Sequence, residues 1–252
     1  MVVLKTRAEI EKMEAANRIV AKVLAAMAAE VAPGVPTLRL DEIARGICGK
    51  EGVKPAFLGY RGFPFAVCVS VNDEVVHGFP SKRKLAEGDI VSMDFGVLAE
   101  GFYGDSAVTV PVGEVSAGTG RLLAATEEAL AAGIAAAVPG NRLSDIGHAV
   151  QTVAEGAGFS VVRKFVGHGI GRELHEDPQI PNYGPPGKGL RLKEGMTLAI
   201  EPMVNAGGCD VRILEDGWTA VTSDGSLSAH FEHTVAILEN GPRVLSAPVG
   251  SG

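Results

Sequence analysis

Residues 85–112 read LAEGDIVSMDFGVLAEGFYGDSAVTVPV. Two runs rich in β-branched and aromatic residues, Asp89 to Val97 and Phe102 to Val112, flank a short Ala99-Glu100-Gly101 turn, and this pattern predicts a β-hairpin. A turn built around Ala99 and Glu100, with Leu98 opposite Gly101, sets Asp94 against Asp105. Directly opposed residues carry Cβ atoms about 5 Å apart, where like charges repel. Either one acid holds a raised pKa and shares a proton, or a divalent cation lies between the two. Val91, Met93, Phe95 and Val108 are apolar neighbours that screen charge poorly, which favours the cation.

Toward the N-terminus, Thr6 and Glu9 form a capping-box pattern, and Ile10, Met13, Val20, Val23, Leu24, Met27 and Val31 recur at helical spacing until Pro33-Gly34. A second helix is expected from near Thr37, with Leu40, Ile43 and Ile47 on one face and Gly49 and Gly52 at its end. Ala66 to Val71 reads as a strand. Beyond the hairpin, helical sequence returns from Gly120 to Val138 and from Ser144 to Gly156, and strands dominate from Met196 to Leu238. The order is helix, helix, strands, then the same again.

That recurrence is visible in the letters. LAEGDIVSMD, ending at Asp94, aligns with LKEGMTLAIE, ending at Glu201, at an offset of about 107 residues; Pro33-Gly34 matches Pro139-Gly140 at about 106. The competing reading is chance similarity of short Glu-Gly turns. Two independent landmarks at nearly one offset favour a duplicated α/β half, with strands of both halves in one sheet and helices on its outer face. Asp94 and Glu201 then become equivalent points about a shared centre.

The second half adds groups of the same chemistry. Glu201 ends an apolar strand, Glu232 lies within AHFEHTVAI, and His168 sits in GHGIG. Taken singly, a histidine among glycines is usually a turn residue and a strand glutamate often faces solvent. Taken together, two Asp, two Glu and one His make a hard, oxygen-rich, net negative donor set suited to two divalent ions such as Mn, Fe, Co or Zn. His77 and His175 are further candidates whose spacing does not match the HExxH helix pair. His148, His230 and His233 are expected to be structural; His233 adjoins Glu232, so in a regular strand the two point to opposite faces.

Composition narrows the class. The 252 residues are 46% hydrophobic and carry 23 basic against 30 acidic side chains, a net charge of −7. That balance argues against DNA binding or a membrane-surface role, and no apolar stretch approaches the ~20 residues of a membrane span. Cys48, Cys68 and Cys209 lie far apart with no CxxC spacing, which argues against a disulfide framework or a cysteine zinc site. The start is charged too early for a secretory signal. A cytoplasmic, monomeric globular protein is expected.

The motifs YRGFPFAVCVSVNDEVVHGFP, DIVSMDFGVLAEGFYGDSA, GHGIGRELHEDP, LAIEPM and DGWTAVTSDGSLSAHFEHT, in this order and spacing, closely resemble those of the type I methionine aminopeptidases, M24 metallopeptidases of the pita-bread fold. The likeness covers nearly the whole chain. It implies an α/β (α+β) fold, an antiparallel-rich curved sheet with helices on its outer face. It further implies a single catalytic domain over 1–252, built of two pseudo-symmetric halves (about 5–115 and 116–245) with a loose tail at 246–252. By the same resemblance Asp94, Asp105, His168, Glu201 and Glu232 are the metal ligands, Asp105 and Glu232 bridging the two ions. The nucleophile would be a water or hydroxide between those ions, with Glu201 as general base. His175 would stabilise the tetrahedral intermediate, and His77 would contact the scissile nitrogen or the substrate backbone.

The matching methionine-pocket positions are Phe57, Tyr60, Phe63, Cys68, Leu174 and Trp218. Of these, Phe57, Phe63 and Leu174 depart from the residues common in the family and bear on pocket shape. A monovalent cation site near Asn72 and Ser228 is also implied, as are peptide or nascent-protein N-termini as substrate and a transient ribosome contact. The rival readings are a proline-specific aminopeptidase or dipeptidase of the same fold, which usually carries a further N-terminal domain, and a non-catalytic binding module, which typically loses ligands.

Overall fold

The Thr6 hydroxyl accepts the Glu9 N–H while the Glu9 carboxylate accepts the Thr6 N–H, and this reciprocal cap starts helix α1 (Arg7–Glu30). A computed structural model describes residues 2–247 of the chain. α1 is followed by α2 (Leu38–Glu51), which continues through Gly49 and stops at Gly52, whose φ of 69° is left-handed. Then come β1 (Lys54–Pro55), a 3-10 turn at Tyr60–Gly62, β2 (Cys68–Val71), β3 (Glu74–Val76), β4 (Ile90–Ala99) and β5 (Phe102–Pro111). The second run begins with α3 (Ala117–Ala136) and α4 (Leu143–Gly156), followed by β6 (Ser160–Val161), β7 (Gly167–Gly169), β8 (Glu176–Ile180), β9 (Thr197–Ile200) and β10 (Met203–Asn205). β11 (Val211–Ile213), β12 (Ala220–Thr222), β13 (Ser228–His230), β14 (Glu232–Leu238) and β15 (Gly241–Val244) complete the order.

The main sheet has nine strands in the order β1-β4-β5-β14-β9-β7-β8, with β2 also on β4 and β15 also on β14. All its pairings are antiparallel. Along β4 the odd residues Val91, Met93, Phe95 and Val97 join Val20, Val23, Met27 and Leu40 in one apolar cluster. In the second half Leu198 and Ile200 of β9 and Val235 and Ile237 of β14 meet Leu122, Leu130, Ile146 and Val150. Each fully buried side chain of this size contributes roughly 1.5–3 kcal/mol. Period-two alternation thus gives one face of the sheet to the four helices and leaves the even residues of β4, Asp94 among them, on the other.

The hairpin register differs from the expected one. Ala99 pairs with Phe102, so Asp94 lies opposite Ala107, and Asp105 lies opposite Gly96. The turn holds only Glu100 and Gly101, both left-handed at φ 49° and 80°, the tight type that matches the twist of the flanking strands. The shift moves each partner by two residues and so keeps both acids on one face, as diagonal neighbours. The two runs also share a local device. Gly34 N–H donates to the Leu85 carbonyl and Leu85 N–H to the Val35 carbonyl, at 2.7 and 2.9 Å; Gly140 and Leu192 repeat this with Asn141, at 3.0 and 2.8 Å.

Ser246, expected to open a loose tail, is instead held in place. That residue is buried, and its hydroxyl meets His233 Nδ1 and the Thr234 N–H. Residues 248–252 of the expected tail lie outside the described residues.

Candidate metal centre

Five contiguous strands deliver the five candidate ligands. Asp94 is on β4, Asp105 on β5, Glu232 on β14 and His168 on β7, while Glu201 directly follows β9. Register puts them on one face: Asp94 and Glu232 both oppose Ala107, two residues from Asp105 on β5. His168 opposes Ala199, which opposes Thr234, and Glu201 and Glu232 lie two residues further along those strands. Donor atoms of Asp105, His168 and Glu232 lie within 4.8 Å of one another.

His168, expected in a glycine loop, is the centre of a three-residue strand. Its flanking glycines are required by close approach, because a Cβ on Gly167 would stand 2.4 Å from the Ala199 carbonyl oxygen and one on Gly169 would stand 2.1 Å from that of Asp177. His168 Nδ1 lies 2.9 Å from the Gly169 carbonyl, to which it donates; Nε2 therefore presents a lone pair toward Glu201, whose Oε1 is 3.4 Å away. Asp105 is held through its backbone: its N–H faces the Thr234 hydroxyl and Asn17 Oδ1, and its carbonyl accepts the Thr234 hydroxyl at 2.7 Å. The Asn182 amide donates to the Glu201 carbonyl at 3.0 Å.

The electrostatics are unfavourable for acids alone. Burial pushes the Asp94 carboxyl up to about 7, and burial with the neighbouring acids pushes Asp105, Glu201 and Glu232 well above the usual carboxylate range. Burial also drives His168 and His77 down to about 4. Asp94 Oδ1, Asp105 Oδ1 and Glu232 Oε1 are buried with no hydrogen-bond partner. Unpaired buried oxygens of this kind cost free energy unless a cation takes them up, so this donor set fits one or more divalent ions. The hard oxygen donors with a single imidazole suit Mn, Fe, Co or Zn rather than a thiolate-preferring ion.

All thirteen residues expected at the site line one pocket: the five ligands together with His77, His175, Phe57, Tyr60, Phe63, Cys68, Leu174 and Trp218. Phe63 packs edge-on against Trp218, with ring centroids 5.1 Å apart, and against Phe79 at 5.4 Å. Leu174, Cys68 and Phe57 are buried beneath them, and burial together with Asp94 pushes the Cys68 thiol far above its ordinary range, which makes it an inert wall. His175 stacks on Tyr60, whose hydroxyl lies 2.8 Å from His175 Nδ1, and its ring centroid is 4.3 Å from that of His168. His77 has a left-handed φ of 61°, rare for a non-glycine residue, and meets Phe165 edge-on at 5.5 Å.

Two participants escape the sequence reading. Arg61, at φ 51° over the Tyr60 ring, joins the pocket lining. His230, expected to be structural, has Nε2 3.9 Å from Glu201 Oε2. The signal was available in its spacing, since residues 230 and 232 share a face in extended chain. His233 behaves as expected and turns away to Ser246. Asn72 and Ser228 meet away from the pocket, where the Ser228 N–H donates to the Asn72 carbonyl at 2.9 Å.

With this geometry in place, the comparisons are specific. Residues 11–239 match the model of metallopeptidase family M24. The chain is 53% identical to methionine aminopeptidase 1 of Bacillus subtilis over 98% of this chain and 99% of that protein. It is 48% identical to the Mycobacterium tuberculosis methionine aminopeptidase 1, over 96% and 94% respectively. The crystal structure of methionine aminopeptidase from Thermotoga maritima superposes with a TM-score of 0.96 at 52% identity, covering 98% of this chain and 99% of that one. Prolidase from Pyrococcus furiosus shares the fold at a TM-score of 0.79 and 24% identity, over 97% of this chain and 65% of that one.

Proposed function

The chain belongs to metallopeptidase family M24, and from that premise we propose that it hydrolytically removes the N-terminal methionine from peptides and nascent proteins with a small second residue. One observation carries the reading. Five acid and imidazole groups share one face of five adjacent strands, with unpartnered buried oxygens beside a pocket walled by aromatic and thioether-compatible side chains.

Asp94, Asp105, His168, Glu201 and Glu232 would hold two divalent ions, of which Mn, Fe, Co and Zn all suit the donors. When bound, such ions polarise a scissile carbonyl and lower the pKa of a water at the site. Glu201 acts as the general base, its carboxylate taking a proton from that water and returning it to the departing amine. His175 supports the developing oxyanion: Tyr60 hydroxyl donation to Nδ1 leaves Nε2–H as the donor into the pocket. His77 contacts the substrate backbone at the scissile nitrogen. The methionine side chain lies among Phe57, Tyr60, Phe63, Cys68, Leu174 and Trp218. We also assign one catalytic domain of two pseudo-symmetric halves, supported by the repeated Gly34–Leu85 and Gly140–Leu192 bonds. The same proposal includes a monovalent cation near Asn72 and Ser228, a transient ribosome contact, a monomeric state and a cytoplasmic location.

Among the described residues no helix is long and apolar enough to cross a membrane. Full-length identity to methionine aminopeptidases sets aside the prolyl-peptidase and binding-module alternatives. The direct test is release of free methionine from Met-Ala-Ser by metal-stripped protein with Mn or Co restored, beside N-acetylated and Leu-Ala-Ser controls. Metal-dependent cleavage of the free methionyl peptide alone is expected. Cleavage of Leu-Ala-Ser at a similar rate would overturn the pocket assignment, and no cleavage despite bound metal would overturn the function.

A further inference from the structure

His230 is buried to 1% exposure, and its Nε2 has no hydrogen-bond partner. Leaving such a group unpaired costs about 1–3 kcal/mol, so its surroundings should explain it. Its backbone is pinned from both sides, because its N–H donates to the Thr109 hydroxyl at 2.9 Å while that hydroxyl stands 2.8 Å from its carbonyl oxygen. Ser92 Oγ in turn lies 2.8 Å from Thr109 Oγ1. Pairing of β10 with β13 puts His230 opposite Met203, two residues beyond Glu201. The ring therefore has a fixed place beside the chain that leaves Glu201.

Glu201 is flanked by two imidazoles, one for each oxygen. His168 Nε2 lies 3.4 Å from Oε1, and His230 Nε2 lies 3.9 Å from Oε2. The terminal torsion of a glutamate is broad, so closing the second gap to hydrogen-bond length needs little energy. We propose that His230 is a positioning residue for Glu201, donating Nε2–H to Oε2 and so fixing which oxygen faces the ion shared with His168 and which is free to accept a proton. This rests on the assignment of Glu201 as ligand and base. Carboxylate ligands are commonly held by such outer hydrogen bonds, whose loss weakens metal binding by about 10–100-fold.

The test uses the full chain with His230→Ala and His230→Gln, the second keeping an N–H donor. Cobalt(II) is titrated into each stripped protein and its visible absorption recorded, with thermal melts checking the fold. Methionine release at saturating metal then separates kcat from KM. His230→Ala is expected to bind cobalt at least tenfold more weakly, with an altered spectrum, and to lose kcat with little change in KM; His230→Gln should recover most of both. Wild-type cobalt affinity and spectrum in His230→Ala would overturn the assignment. So would a defect confined to KM, or a folded His230→Gln no better than His230→Ala. The cobalt titration stands even for a wild type that released no methionine, so failure of the functional reading would be seen separately.

Discussion

Asp94 and Glu232 stand opposite the same residue, Ala107, one on each side of it across the sheet. A small side chain at the middle of that row would let two carboxylates remote from each other in the chain lean over one strand toward a common ion. Ala107→Leu would put a branched side chain between them in a buried position. The expected result is a folded protein destabilised by about 1–3 kcal/mol, with much weaker Mn binding in calorimetry. Unchanged Mn affinity would show that the two acids do not converge above Ala107.

The stripped protein should become less stable as pH rises. Burial lifts Asp94 to about 7 and Asp105, Glu201 and Glu232 well above their ordinary values, so above about pH 4 the folded chain keeps protons that the unfolded chain has released. His77 and His168, lowered to about 4, act in the opposite sense below about 6.5 and add no slope above it. Above about pH 6.5, through the range in which Asp94 releases its proton, the Tm of the stripped protein is therefore expected to fall. Each carboxylate forced to ionise costs about 1.4 kcal/mol per unit of raised pKa. Saturating Mn should flatten the slope, and a Tm that rises over this range without metal would contradict the burial argument.

His175→Ala should lower kcat on the order of 100-fold, the scale of one lost oxyanion donor, while leaving metal content and Tm intact. Tyr60→Phe removes only the hydroxyl that faces His175 Nδ1 and keeps the stacked ring. Its loss should be smaller, about fivefold, as for one net hydrogen bond of about 1 kcal/mol. Steady-state kinetics on Met-Ala-Ser checks both. Equal losses in the two variants would mean that Tyr60 acts on the substrate directly.

Lys5 is buried and ion-paired with Glu176, one residue after His175. Glu176 Oε1 also accepts the N–H groups of Arg172 and Glu173, so it ties down the loop carrying Leu174 and His175. Lys5→Met strands that carboxylate and is expected to cost about 3 kcal/mol in a urea unfolding series. Activity should fall with stability as the loop loosens. A stability within 0.5 kcal/mol of wild type, roughly the scatter of surface substitutions, would place the pair among inconsequential contacts.

Much of this was legible in the letters, for identifiable reasons. Alternation along Ile90–Val97 and the capping box at Thr6 are local signals, and locally satisfied elements form where such signals stand. The hairpin register is hidden because Glu100 adopts a left-handed φ that glutamate seldom takes, so the two-residue turn falls on Glu100-Gly101, one position later than the expected Ala99-Glu100. The acids stayed together regardless, since a shift of two preserves the face. The strand character of residues 167–169 was obscured because glycines there answer to neighbouring backbones rather than to a turn. The spacing of residues 230 and 232 puts His230 on the face of Glu232 but says nothing of Glu201, which it approaches only across the β10–β13 pairing.

β14 sits between β5 and β9, and it is the strand through which the sheet of the first run of elements meets that of the second. Its Thr234 closes on Asp105 across 129 residues of chain. A ribosome making this protein thus emits the other four candidate ligands before the strand that unites them. Until β14 inserts, β5 and β9 present two open sheet edges and the donor set is incomplete. Assembly dominated by such distant partners is slow, and activity is consequently an all-or-nothing property that arrives with the docking of β14.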